Sequence, residues 1–173
     1  GPDEDILQEL INDNPQIKFV VAPHEMNEGR INKIITSTKQ GAIRYTKCDD
    51  NTTFDSYQVL ILDTVGILSS AYGYATWSYI GGGFGVGIHN VLEAAVYGIP
   101  VIFGPNNKKF REAQHLLEKK GGFEINSYGD FEQLMDRFLT DEAYLKQAGE
   151  TAGSYVKDNS GAMKMIMKNV FFK

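Results

Sequence analysis

The sequence has a single cysteine, Cys48, so it can form neither an internal disulfide nor a cysteine zinc site. It also lacks a basic excess. Lys plus Arg is 17 against 22 Asp plus Glu, a net charge of −5, which argues against a nucleic-acid-binding domain needing a basic face. No apolar run reaches the roughly 18 residues of a membrane span. The start, Gly1-Pro2-Asp3-Glu4-Asp5, is acidic and has neither the basic nor the apolar region of a signal peptide. There is no initiator Met. Gly1-Pro2 reads either as a protease scar or as interior sequence, and the expectation is a fragment of a longer chain. G-x-S-x-G, H-E-x-x-H and Cys–His patterns are missing too, leaving hydrolase and metalloprotease readings without support.

What the chain has in excess is glycine. Of its 18 glycines, seven lie between Gly81 and Gly104, inside an otherwise ordinary composition. A length of 173 residues suits one domain that buries roughly 70% of its unfolded surface.

Short apolar β-rich runs alternate with helical periodicity. Helices are predicted over Asp3–Asn12, Asn27–Thr38, Ile67–Tyr74, His89–Tyr97, Lys109–Lys119, Tyr128–Leu139, Asp141–Asn159 and Ser160–Val170. Strands are predicted over Ile17–Ala22, Gly41–Thr46, Gln58–Asp63, Thr76–Ile80, Pro100–Phe103 and Phe123–Ile125. The near-continuous apolar runs mark buried parallel strands, so the fold class is α/β with a parallel sheet.

Ligands of such sheets sit beyond the C-terminal strand ends. Three segments fall there: Pro23-His24-Glu25, Asp63-Thr64-Val65-Gly66, and the loop Gly81 to Asn90. The loop feeds a predicted helix N-terminus, where free amides and the dipole favour phosphate. Its five glycines in seven residues point to anion binding, with a tight packing turn as the alternative reading. It is neither G-x-G-x-x-G nor a P-loop, since Ile88-His89 follows Gly87 where Lys-Ser/Thr would stand.

The stretch I-G-G-G-F-G-V-G-I-H-N-V-L-E-A-A-V-Y-G-I-P-V-I-F-G-P, Ile80 to Pro105, resembles the nucleotide-binding core of 3-deoxy-D-manno-oct-2-ulosonic acid (Kdo) transferases. A-P-H-E at Ala22–Glu25, D-T-V-G at Asp63–Gly66, N-x-x-F-R-E-A at Asn107–Ala113 and Gly161-Ala162 extend the likeness along almost the whole chain. The resemblance implies a Rossmann-like three-layer α/β/α parallel sheet, the C-terminal half of a GT-B glycosyltransferase. Residues 1–173 would be the donor domain, with the acceptor domain and first strand outside this chain. It further implies binding of CMP-Kdo and inverting transfer of Kdo to a lipid A precursor, without metal or cofactor. The general base would lie in the N-terminal half, at the cytoplasmic face of the bacterial inner membrane. The donor-binding residues it implies are His24, Gly66, Gly82, Gly83, Gly87, His89, Asn90 and Glu93. Asn90 and Glu93 carry the N-x-x-E contacts, Glu93 toward ribose hydroxyls and Asn90, with the loop amides, toward phosphate. Three departures stand out: Ile67 replaces a glutamate, Gly83 a serine and Ala94 a proline.

Other residues have plainer readings. Asp63 is expected to cap the next helix, His115 to be solvated, and Cys48 to be a spectator. His89 reads equally as a helix cap. Lys108, Lys109 and Arg111 read as a phosphate-facing group or a solvated helix start, and Tyr72, Tyr74, Trp77 and Tyr79 as core. Phe171, Phe172 and Lys173 are candidates to pack on the absent half. The second glutamate of retaining GT-B enzymes is replaced by Val101, eight positions after Glu93. Two alternatives remain: a GT-B donor domain for a UDP- or GDP-sugar, and a non-catalytic interaction domain with a structural glycine loop.

Overall fold

The computed structural model describes residues 1–171, with side chains described as far as Ser160. The expectations for Phe171–Lys173 packing and for the Gly161-Ala162 match therefore lie outside the described side chains. The chain forms two compact units, Gly1–Ala71 and Tyr72–Lys173.

In the first unit, strands β1 (Phe19–Val21), β2 (Ala42–Arg44) and β3 (Val59–Ile61) pair in parallel, in the order β1-β3-β2. Helix α1 (Pro2–Asp13) contributes buried Leu10 and Ile11, and α2 (Glu28–Ser37) contributes Ile31. Val59 and Ile61 of the middle strand are fully buried. The C-terminal carbonyls of α1 need partners. Buried Gln58 supplies them, its Nε2 donating to Ile11 O at 2.6 Å and Asn14 O at 2.8 Å. Asn27 caps α2 by accepting from the Arg30 amide at 2.9 Å, the role Asn favours at a helix start. Helix α3 (Leu68–Tyr72) carries the chain onward.

The second unit repeats the principle, with β4 (Ser78–Ile80), β5 (Val101–Phe103) and β6 (Gly122–Glu124) parallel in the order β4-β5-β6. The three residues of β5 are wholly buried, as expected of a middle strand covered on both faces. Val101 and Phe103 meet one cluster with Ala113 and Leu116 of α5 (Arg111–Lys119) and Ala152 and Tyr155 of α7 (Glu142–Phe171). On the other face, α6 (Tyr128–Thr140) sets Phe131 against Tyr79 at 5.5 Å and Trp77 at 6.0 Å, and Phe138 against Phe123 at 5.4 Å. The α/β class and the six strands are as predicted, five of them shorter than expected and β6 shifted by one residue from the expected Phe123–Ile125.

Three expectations need correction. The helix predicted over His89–Tyr97 is only α4, Leu92–Ala95, because Gly87 (φ +138°) and the His89 amide, bonded to Gly81 O, keep the preceding residues out of helical geometry. The two predicted C-terminal helices are one. Asn159 donates back to Tyr155 O at 2.7 Å and Ser160 to Lys157 O at 2.9 Å, so neither caps a new start. Tyr74 is no core residue: it is 94% exposed, whereas Tyr72 packs on Tyr97 at 6.4 Å.

Candidate functional site

In the second unit the Gly81–Asn90 loop leaves the C-terminal end of β4, beside the turn that leaves β5 at Gly104. Much of its glycine content answers to packing. Gly82 has φ +92°, and a Cβ there would run into the Gly87 carbonyl. A Cβ on Gly83 would lie 2.6 Å from Gly104 Cα and 2.9 Å from its carbonyl carbon, so two backbones touch where no side chain fits. This also explains the glycine standing where the resemblance has serine. Gly87 packs under the Phe110 ring, its Cβ position 3.0 Å from two ring atoms. Gly81 and Gly85 are different: nothing closer than 3.6 Å would meet a side chain at either.

The loop spends some of its amides internally. Gly85 N and Gly87 N both donate to Gly82 O, at 2.9 and 3.1 Å, and His89 N donates to Gly81 O at 3.1 Å. Gly83 N and Val86 N make no such bond among the described residues, and Val86 is fully exposed. The expected phosphate cradle thus narrows to fewer amides than five glycines suggest. The helix N-terminus contributes little, since a four-residue helix aligns few peptide dipoles.

Asn90 and Glu93 are brought together. Asn90 Nδ2 donates to Glu93 Oε1 at 3.0 Å, while Asn90 Oδ1 accepts from the Leu92 amide at 3.0 Å. Both side chains are exposed, so their outer polar atoms reach solvent. Glu93 also acts on Tyr72, whose phenol is pushed up first by burial and then by the Glu93 charge. His89 is exposed and lies two residues before the N-cap Val91, so it does not cap α4.

The sequence reading names Asn107 only as the start of a matching motif and gives no role to it or to Asn106, the two residues that follow Gly104-Pro105. Asn107 is fully buried. Its Nδ2 donates to Gly104 O at 2.9 Å and Glu124 Oε2 at 2.7 Å, and its Oδ1 accepts from Gln114 Nε2 at 2.5 Å. Asn106 reaches the glycine loop, its amide donating to Gly83 O at 2.8 Å and its Nδ2 to Gly85 O at 2.6 Å. Paired asparagines directly after a strand and its G-P turn were the available signal. Lys108 and Lys109 are exposed in this turn.

In the first unit, His24 lies in the exposed loop after β1, and Gly66 (φ +90°) in the loop after β3. Their strands pair in parallel, so both loops leave the same sheet edge. Nothing lies within 4 Å of a Cβ on Gly66, so its glycine answers to backbone conformation and not to crowding. Asp63, expected as a helix cap, is instead the centre of a polar network. Its side chain is only 1% exposed and accepts from Arg44 Nε at 2.8 Å, Thr46 N at 2.9 Å and the Thr46 hydroxyl at 2.6 Å. Burial would raise its pKa, but the Thr46 hydroxyl and amide and Arg44 outweigh it and hold Asp63 at about 2. Arg44 forks on to both Glu28 oxygens at 2.8 Å, and this lowers the Glu28 carboxyl. Two outlying residues also differ from expectation or confirm it. His115 is half-buried, with Nδ1 3.1 Å from the Tyr155 hydroxyl, not solvated. Cys48 is half-buried with its thiol pushed up by burial and then by Asp49 and Asp63, in keeping with a spectator.

No family model matches the chain. Among curated proteins, the 3-deoxy-D-manno-octulosonic acid transferase of Aquifex aeolicus is 33% identical over 104 residues, covering 57% of this chain and 30% of that protein. The protein of the same name from Haemophilus influenzae is 26% identical over 174 residues, 96% of this chain and 40% of its own length. The chain is similar to Kdo transferases over most of its length. The chain spans well under half the length of these curated relatives. Its fold is that of a solved domain, the C-terminal CMP-Kdo binding domain of WaaA from Acinetobacter baumannii. The TM-score is 0.74 at 17% identity, covering 89% of this chain and 81% of that one.

Proposed function

We propose that this chain is the donor-binding part of a Kdo transferase and takes CMP-Kdo at the loop that leaves β4. The observation that carries the reading is the Asn90–Glu93 pair, held at 3.0 Å beside a glycine loop whose Gly83 and Val86 amides are not spent on its own turns. The relatives' names and the fold of a CMP-Kdo binding domain support the choice of donor. Glu93 would accept hydrogen bonds from ribose hydroxyls, and Asn90 with the loop amides would hold the phosphate. As the glycosidic bond to phosphate breaks, negative charge grows on the CMP leaving group. Donors fixed in advance at that position stabilise it electrostatically. Lys108 and Lys109 are the nearest sequence source of further positive charge.

In the whole enzyme, a base in the N-terminal half would deprotonate the acceptor hydroxyl of a lipid A precursor. Attack from the face opposite CMP would invert the anomeric centre, with no metal or cofactor, at the cytoplasmic face of the inner membrane. No helix among the described residues is long and apolar enough to cross a membrane.

Titration with CMP, followed by amide chemical shifts, tests the donor reading. Shifts at Gly83 to Glu93 that exceed those given by UMP or GMP are expected. Silence of these amides at millimolar CMP would sink it, and a stronger response to UMP or GMP would move the chain to another GT-B donor class.

A structural glycine loop has one observation in its favour, the packing that already accounts for Gly82, Gly83 and Gly87. Gly81 and Gly85 separate the readings, because a methyl at either fits without a clash: nothing lies within 4 Å at Gly81, and Gly85 would make only an ordinary 3.6 Å contact with Gly82 O. Gly85→Ala should leave stability unchanged and weaken CMP binding if the ligand needs that close approach. Unchanged CMP binding in Gly81→Ala and Gly85→Ala would favour the structural loop.

A further inference from the structure

The glycine loop is gripped at three successive points by one neighbouring segment, the turn from Gly104 to Phe110. At the first, Gly83 lies against the Gly104 backbone and accepts from the Asn106 amide at 2.8 Å. At the second, the Asn106 side chain donates to Gly85 O at 2.6 Å. At the third, the Phe110 ring covers Gly87. The gripping segment is itself anchored from below by the buried amide of Asn107. That group bonds Gly104 O on one side and Glu124, at the end of β6, on the other, with Gln114 of α5 closing the third contact.

We infer that Asn106 is a positioning residue for the donor loop: its side-chain amide, on the Asn107 anchor, sets the conformation in which the Gly83 and Val86 amides are presented. Asn106 is exposed and contributes nothing to the core, so replacing its side chain leaves the packing of the unit intact. Its two donors address two carbonyls of one loop, Gly83 and Gly85, which fixes the intervening Phe84 peptide at both ends. The same two bonds leave Gly85 N and Gly87 N directed at Gly82 O, the turn that shapes the loop. The consequence for ligand rests on the CMP-sugar reading above, whereas the loop-setting role does not.

Asn106→Leu, near-isosteric and without a donor, is compared with Asn106→Gln, which keeps the amide. Hydrogen exchange of the Gly85 and Gly87 amides is followed in the free chain, and CMP affinity by calorimetry. A charge-free hydrogen bond lost from a loop is worth roughly three- to tenfold in either readout. Asn106→Leu should speed both exchange rates and weaken CMP by that factor with an unchanged unfolding midpoint, and Asn106→Gln should recover most of both. Unchanged exchange in Asn106→Leu overturns the proposal, whether or not CMP binds. Faster exchange with unchanged CMP affinity overturns its link to the ligand. Faster exchange in a chain that binds no CMP even as wild type upholds the loop-setting role and refutes the donor reading instead.

Discussion

Gly83→Ala probes a contact of backbone against backbone in the site. The added methyl carbon would lie 2.6 Å from Gly104 Cα and 2.9 Å from Gly104 C, and closer still to Gly104 N. Non-bonded carbons rest about 3.5 to 4.0 Å apart, so the two chain segments must separate by about 1 Å. Neither side is a flexible side-chain end, because the contact is backbone against backbone. Separation would stretch the bond from Asn106 N to Gly83 O, now 2.8 Å. Overpacking of this kind costs about 1–3 kcal/mol. Within a unit of this size, 2 kcal/mol lowers the thermal midpoint by on the order of 10 °C. Gly81→Ala, two residues earlier, meets nothing within 4 Å and is the internal control, expected within about 0.5 kcal/mol of wild type. Urea denaturation of both variants, read at the single tryptophan Trp77, gives the comparison. If Gly83→Ala matches Gly81→Ala within that error, the backbone contact does not constrain the loop and the packing account of Gly83 fails.

Asp63 makes the first unit sensitive to acid. Its folded pKa of about 2 lies below the unfolded 3.8, so its contribution is complete above pH 4 and is lost as the pH falls through 2. The difference is worth about 2 kcal/mol, and Asp63→Asn should remove that part of the acid dependence of the urea midpoint. An identical slope in wild type and variant between pH 4 and pH 2 would contradict it. At the end of α5, Lys120 adopts φ +65°, the left-handed conformation that glycine takes without strain. Lys120→Gly is expected to stabilise the second unit by about 1 kcal/mol, and a loss of stability in thermal denaturation would show that the Lys120 side chain contributes more than its backbone strain costs.

The strands were legible because a middle parallel strand is apolar on both faces, and Val101-Ile102-Phe103 and Val59-Leu60-Ile61 say so locally. The length of α4 was not legible. Val91, Leu92, Ala95 and Val96 have helical spacing, but a hydrogen bond from His89 back to Gly81 holds the preceding residues in another shape. The break expected near Asn159-Ser160 failed for a related reason. Side chains that cap a helix in one setting bond back onto it in another. Asp63 stood out in the sequence as a cap, yet its partners Arg44 and Thr46 come from the neighbouring strand end, 19 and 17 residues away.

The sequence alone therefore determined the α/β class, the order of strands and helices, and the concentration of glycine between Ile80 and Pro105 that marks the candidate site. These follow from periodicity and composition, which act through neighbours along the chain. Only the tertiary structure decided what each glycine there is for. Gly82, Gly83 and Gly87 are held by contacts with residues distant or reversed in the chain, and Gly81 and Gly85 are not. Steric exclusion is a property of what comes near in space, and a glycine's letter in the sequence is the same whether its missing side chain makes room for protein or for a ligand.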